Sequence, residues 1–233
     1  MTPESATDLD FELLDDVLPR ITATSTFLRG NLVGCRSTAI GPLLEYAIQA
    51  GASQGALPPL REAAPSEMAY ALERLVTQDW SNLVSKSTSM QSQSFEFSRV
   101  PDKKNVSDPH LVAFVQRVKH AATQAGFNTN TALKLAGSFL ELTDNIWEHS
   151  AAASTGVVGY RTETGVFEFV IADSGVGVVA SMNSKPAYTK LTDAGTALEI
   201  ALSLSETDYG RETGRGDGYR NMFSNLANFW GEI

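Results

Sequence analysis

The chain has 233 residues, 42% hydrophobic and 19% charged, the composition of an ordinary globular protein of one or two domains. A formal net charge of −9 excludes binding of nucleic acid or acidic lipid through an overall positive surface, and no run reaches the roughly 18 apolar residues that span a bilayer. The acidic start "MTPESATDLDFELLDD" is unlike a secretory signal and the single Cys35 excludes an internal disulfide, so a cytoplasmic protein with an inert buried thiol is expected.

Residues 1–90 read as a mostly helical region in which no chemistry stands out. Three helical stretches, "DFELLDDVLPRI", "IGPLLEYAIQAG" and "SEMAYALERLVTQDW", are punctuated by Gly34, Gly41, Pro58, Pro59 and Pro65. "SNLVSKSTSMQSQS" at 81–94 is Ser- and Gln-rich and reads as a linker or a polar surface loop. Residues 91–233 form the second region. "FEFSRV" at 95–100 alternates as a short strand before Pro101. Two helices follow, in "SDPHLVAFVQRVKHAATQAG" and "TALKLAGSFLELTDNIWEHS", and then two strands, "TGVVGYR" and "VFEFVIAD", around a short turn at 162–165. A segment of small and polar residues contains one helical pattern, "DAGTALEIALSL", before the glycine run "GRGDG" and a last helix "YRNMFSNLANFW". The pattern is α+β.

Three stretches carry candidate chemistry. In "ELTDNIWEHS" an acid, an amide and an imidazole, Glu141, Asn145 and His149, recur every four residues and so share a helix face. On the helical wheel Leu133, Leu135, Ala136, Phe139, Leu140, Leu142, Ile146 and Trp147 make an apolar arc, while Lys134, Ser138, Glu141, Asp144, Asn145, Glu148 and His149 fill the other. By itself that face reads first as a solvated surface. In "ADSGVGV" Asp173 closes a β-forming run and Gly175 and Gly177 follow; the stretch fits a tight turn, and it also fits a carboxylate that accepts from an adenine amino group beside bare backbone. In "GRGDGYRNM" Gly214, Gly216 and Gly218 alternate directly before a helix, an arrangement that aims backbone amides at phosphate. Neither a Walker loop nor a G-x-G-x-x-G fingerprint is present, and "RGD" at 215–217 has no extracellular context.

In this order the three stretches resemble the nucleotide-binding boxes of the GHKL superfamily, the histidine-kinase-like ATPases, over roughly residues 95–233. The likeness is greatest to anti-sigma-factor-type and stand-alone bacterial ATP-binding domains. It implies a sandwich of helices on one face of a mixed, mainly antiparallel sheet. It implies ATP and Mg²⁺ as cofactors, Asn145 as the Mg²⁺ ligand, Glu141 as general base, and His149 at a position where the family often has His or Tyr. Asp173 becomes the adenine partner, Gly175 and Gly177 the wall beside the base, Gly214, Gly216 and Gly218 the phosphate-side turn, and residues 178–213 a mobile lid. The implied activity is that of a regulatory protein kinase or slow ATPase acting on a protein partner in signal transduction, with a homodimer allowed. The alternative is a nucleotide-gated interaction module that holds ATP without turnover. Arg211, Arg215 and Lys185 are the cations available to the phosphates. His110 and His120 lack the acidic residue that typically follows a phosphoacceptor His, so autophosphorylation on His is not expected. Family members continue past the last helix into further strands, so "WGEI" reads as the start of one and the chain as truncated at its C-terminal strands.

Overall fold

The computed structural model describes residues 8–21, 35–37, 39–52, 64–76, 94–105 and 107–203. Among them are seven α-helices and a three-stranded antiparallel sheet, so the protein is α+β. The helices are α1 (Phe11–Ile21), α2 (Ile40–Ala52), α3 (Ser66–Val76), α4 (Pro109–Gln124), α5 (Thr129–His149), α6 (Gly177–Asn183) and α7 (Ala194–Ser203). The strands β1 (Ser94–Arg99), β2 (Val157–Glu163) and β3 (Val166–Ala172) pair in the order β1-β2-β3. The region boundary expected at 90/91 lies outside the described residues, as do the glycine run and the last helical pattern. No helix among the described residues is long and apolar enough to cross a membrane.

The chain divides into two compact units, Met1–Ser98 with Gly159–Val170, and Arg99–Val158 with Ile171–Ile233. In the first, α2 packs against α1 and α3 around Leu9, Leu14, Leu43, Leu44, Tyr46, Leu72 and Leu75, all buried. The Asp10 carboxylate accepts from the Leu13 backbone N–H at 2.8 Å, satisfying one of the donors that a helix start leaves without an internal partner. Cys35 is buried, and that burial pushes its thiol pKa up and keeps it in the unreactive neutral form. Polar groups inside this unit are paired: Tyr160 donates to the buried Glu96 at 3.0 Å, and the buried Arg161 bridges Glu163 at 2.9 Å and Glu168 at 2.5 Å.

In the second unit, α4 begins where Asp108 accepts from the His110 and Leu111 amides, with Pro109 supplying the first helical residue. α5 begins where Asn128 accepts from Thr131 N–H at 2.9 Å. The two helices pack together through Phe114 and Phe139, whose rings stack at 5.7 Å between centroids. Leu135, Ala136 and Ile146 continue the apolar contact along α5. The buried side of α5 is rotated from the arc read in the sequence. Leu133 is 57% exposed, whereas Ser138, placed on the polar face by its chemistry, is only 4% exposed. Burial follows the neighbours that pack on a helix rather than the polarity of a single residue, and a hydroxyl is small enough to be covered.

One element was not anticipated. The stretch from Gly177 to Asn183 is a helix, although it follows a Gly-x-Gly and carries no amphipathic repeat long enough to announce itself. It is held by tertiary contact: Met182 is buried, and α6 packs on α7 and against α5.

Candidate functional site

The last three turns of α5 carry a dense row of polar side chains, most of them tied down. Thr143 returns its hydroxyl to Phe139 O at 2.8 Å and Ser150 to Ile146 O at 2.6 Å, the usual fate of helical hydroxyls. Trp147 Nε1 donates to Pro101 O at 2.7 Å. Lys104 donates to Asp144 at 2.7 Å and to Glu148 at 2.9 Å, and these two bonds hold its pKa above the ordinary lysine value. Segment 101–104 therefore occupies the flank of α5 that bears Asp144, Trp147 and Glu148. Asn145, partly buried, and His149, exposed, lie on the other flank, and neither side chain makes a hydrogen bond to a described residue. Glu141 is exposed one turn before Asn145.

The segment after β3 is brought to the end of this helix. Val176 N–H donates to Ser150 O at 2.8 Å, and Ser174 N–H donates to Thr155 Oγ1 at 2.9 Å. A Cβ at Gly175 would collide with the Ser150 backbone oxygen, so glycine is what lets the loop lie on the helix end. Asp173 folds back on its own loop: Oδ1 accepts from Gly175 N–H at 2.8 Å, an Asx turn. Oδ2 has no hydrogen-bond partner among the described residues, and the side chain is exposed. The fold thus brings together Asp173, Gly175, Gly177 and the C-terminal end of the helix that carries Glu141, Asn145 and His149. Gly214, Gly216, Gly218, Arg211 and Arg215 lie outside the described residues.

Comparison of the chain with protein-family models, with characterised proteins and with solved structures finds no match. The site is defined by its own residues.

Of the three cations named for the phosphates, Lys185 lies among the described residues. It sits in a loop closed by Asn183, whose amide donates to Leu191 O at 2.8 Å and accepts from Leu191 N–H at 3.1 Å. Partial burial lowers the Lys185 pKa. Although His149 is exposed as a residue, its imidazole is partly desolvated at the end of α5, which pushes it below its ordinary value; Glu148 opposes this, and Lys185 adds to it. His149 is therefore biased toward the neutral imidazole, which can donate one hydrogen bond from one ring nitrogen and accept one at the other. Lys104 and Thr155 were not singled out in the sequence, and Trp147 was read there only as part of the apolar arc. Each acts through a backbone or side-chain partner that only folding supplies, and the 40-residue separation of Lys104 from Asp144 carries no local pattern.

Among the described residues no group of three or more His, Cys, Asp or Glu is placed to hold a metal ion. Mg²⁺ does not require such a cage, since it keeps several waters and is bound by one or two protein oxygens beside substrate phosphates. An uncommitted carboxamide such as that of Asn145, partly shielded and with an acid one turn away, fits that limited demand.

Gly177 offers a test of the loop itself. Its φ is +74°, in the left-handed region, and a Cβ there would meet nothing within 4 Å. Gly177→Ala should therefore lower the unfolding free energy by about 1–2 kcal/mol through backbone strain alone. Denaturant unfolding that finds parent and variant equally stable would remove the conformational reason for this glycine.

Proposed function

We propose that residues 91–233 bind Mg-ATP as a histidine-kinase-like ATPase domain does, and that the chain acts as a regulatory protein kinase or slow ATPase on a protein partner. The observation that carries this reading is the flank of α5 on which Asn145 and His149 are uncommitted, at the helix end where the Asp173 loop is seated. The finer fold assignment, helices on one face of a mixed, mainly antiparallel sheet, belongs to the same proposal, as does a cytoplasmic location.

The residues divide the work by their chemistry. Asp173 keeps its turn with Oδ1 and offers Oδ2 to the adenine amino group; a guanine carbonyl at that point would be repelled. Asn145 would hold Mg²⁺ through its side-chain oxygen. Bound there, the ion would supply charge neutralisation of the phosphates, which a chain of net charge −9 needs locally. Lys185 adds a positive charge at the same end of the helix. The Glu141 carboxylate takes the proton from an attacking water or acceptor hydroxyl as the oxygen of that nucleophile bonds to the terminal phosphorus and the bond from that phosphorus to the bridging oxygen breaks, so that ADP leaves with the electron pair. Holding ATP does not need that carboxylate, and its presence favours the enzyme over the gated module.

The test is calorimetric binding of ATP, GTP and ADP with and without Mg²⁺ to the parent and to Asn145→Ala. The parent should prefer ATP over GTP and should need Mg²⁺ for tight triphosphate binding. The variant should lose the Mg²⁺ dependence while keeping metal-free adenosine binding. An equal Mg²⁺ effect in the two proteins would overturn the metal role, and equal GTP and ATP binding would overturn the adenine site.

A further inference from the structure

Ser138 is a buried hydroxyl, 4% exposed, that makes no hydrogen bond to a described residue. Its neighbours on α5 show what an idle helical hydroxyl does: Thr143 and Ser150 each bond the carbonyl four residues earlier. Ser138 makes no such bond to Lys134, and a buried polar group without a partner is costly and rare enough to require a reason.

Its position supplies one. Asn145 and His149 follow Ser138 by seven and eleven residues, which at helical spacing puts all three on one flank, with Glu141 beside them three residues on. The opposite flank is taken by Pro101 and Lys104 through Trp147, Asp144 and Glu148. The flank with Asn145 and His149 thus also carries a hydroxyl that is shielded from water and has no partner among the described residues.

We infer that the Ser138 hydroxyl hydrogen-bonds the terminal phosphoryl group of a bound nucleoside triphosphate and so makes the site distinguish ATP from ADP. This rests on the reading of the site proposed above. The Asp173 loop is seated at Ser150, so a base held there lies at the C-terminal end of α5, and the phosphate chain runs back along the helix past Asn145 to Glu141. Ser138 lies about 4.5 Å further along the axis than Glu141. A diphosphate stops short of it, whereas the third phosphoryl group reaches it.

The experiment measures Mg-ATP and Mg-ADP affinity by calorimetry on the full chain for the parent, Ser138→Ala and the hydroxyl-retaining Ser138→Thr, with thermal unfolding of each in the absence of nucleotide. Ser138→Ala should weaken ATP binding about 10-fold or more, the range for a lost hydrogen bond to a charged group, and leave ADP binding unchanged. Its unfolding temperature should be equal or higher, because the change deletes an unsatisfied buried group, and Ser138→Thr should retain part of the ATP preference. A structural role would lower the unfolding temperature and weaken both nucleotides together, which overturns the assignment, as do unchanged affinities in Ser138→Ala. A parent that binds neither nucleotide overturns the reading of the whole site, an outcome distinct from loss of the Ser138 contact alone.

Discussion

Replacing Glu141 by Gln is expected to lower phosphoryl transfer by roughly 10²–10⁴-fold, the range for a lost general base, while nucleotide affinity changes little. Gln keeps the length and hydrogen-bonding capacity of Glu and removes only the group that takes the proton. Asp144 and Glu148, the nearest acids along the helix, are both paired with Lys104, which makes them poor substitutes for the lost carboxylate. A single-turnover assay with γ-labelled ATP, run with the protein partner or water as acceptor, measures the effect. Equal and measurable rates in parent and variant would remove Glu141 from the mechanism. A parent that binds Mg-ATP and shows no transfer would replace the enzyme by the gated interaction module.

The second large effect is expected at Asp173, where two oxygens do two jobs. Asp173→Asn retains a side-chain oxygen to accept from Gly175 N–H, so the turn and the seating of the loop on Ser150 should persist and thermal stability should stay near that of the parent. The other position becomes an amide donor, which faces the adenine amino group as like to like. ATP affinity should fall about 10- to 150-fold, the equivalent of about 1.5–3 kcal/mol for a lost hydrogen bond to a charged acceptor. The discrimination against GTP should shrink, because an amide donor suits a guanine carbonyl. Asp173→Ala removes both functions and should lose stability as well as affinity. Calorimetry together with thermal unfolding separates the two variants, and undiminished ATP binding by Asp173→Asn would disprove the adenine assignment.

Much of the described architecture was legible in the chain because it depends on neighbours close in sequence. The alternation of "FEFSRV", the short hairpin turn and the periodicity of residues 107–126 and 131–150 place β1, the β2–β3 hairpin, α4 and α5 to within a few residues of where they lie. α6 was missed because seven residues are too short to show a period, and its stability comes from Met182 and the packing of α7. At the site, the four-residue spacing of Glu141, Asn145 and His149 establishes that they share a face. It does not establish whether that face meets solvent, another helix or a ligand.

By itself the sequence determined the α+β pattern, the excess of negative charge, the common helical face of Glu141, Asn145 and His149, and the position of Asp173 at a strand end. These follow from local periodicity and from composition, which the linear chain carries in full. Only the tertiary structure decided which side chains on that helix are occupied. Lys104 and Pro101 reach back across about forty residues to take up Asp144, Glu148 and Trp147, and the loop at Val176 docks on Ser150. The Ser138 hydroxyl is left buried and without a partner among the described residues. The physical reason is that helical spacing sets the direction in which a side chain leaves the axis, whereas burial and hydrogen bonding are set by whatever chain, distant in sequence, is packed in that direction.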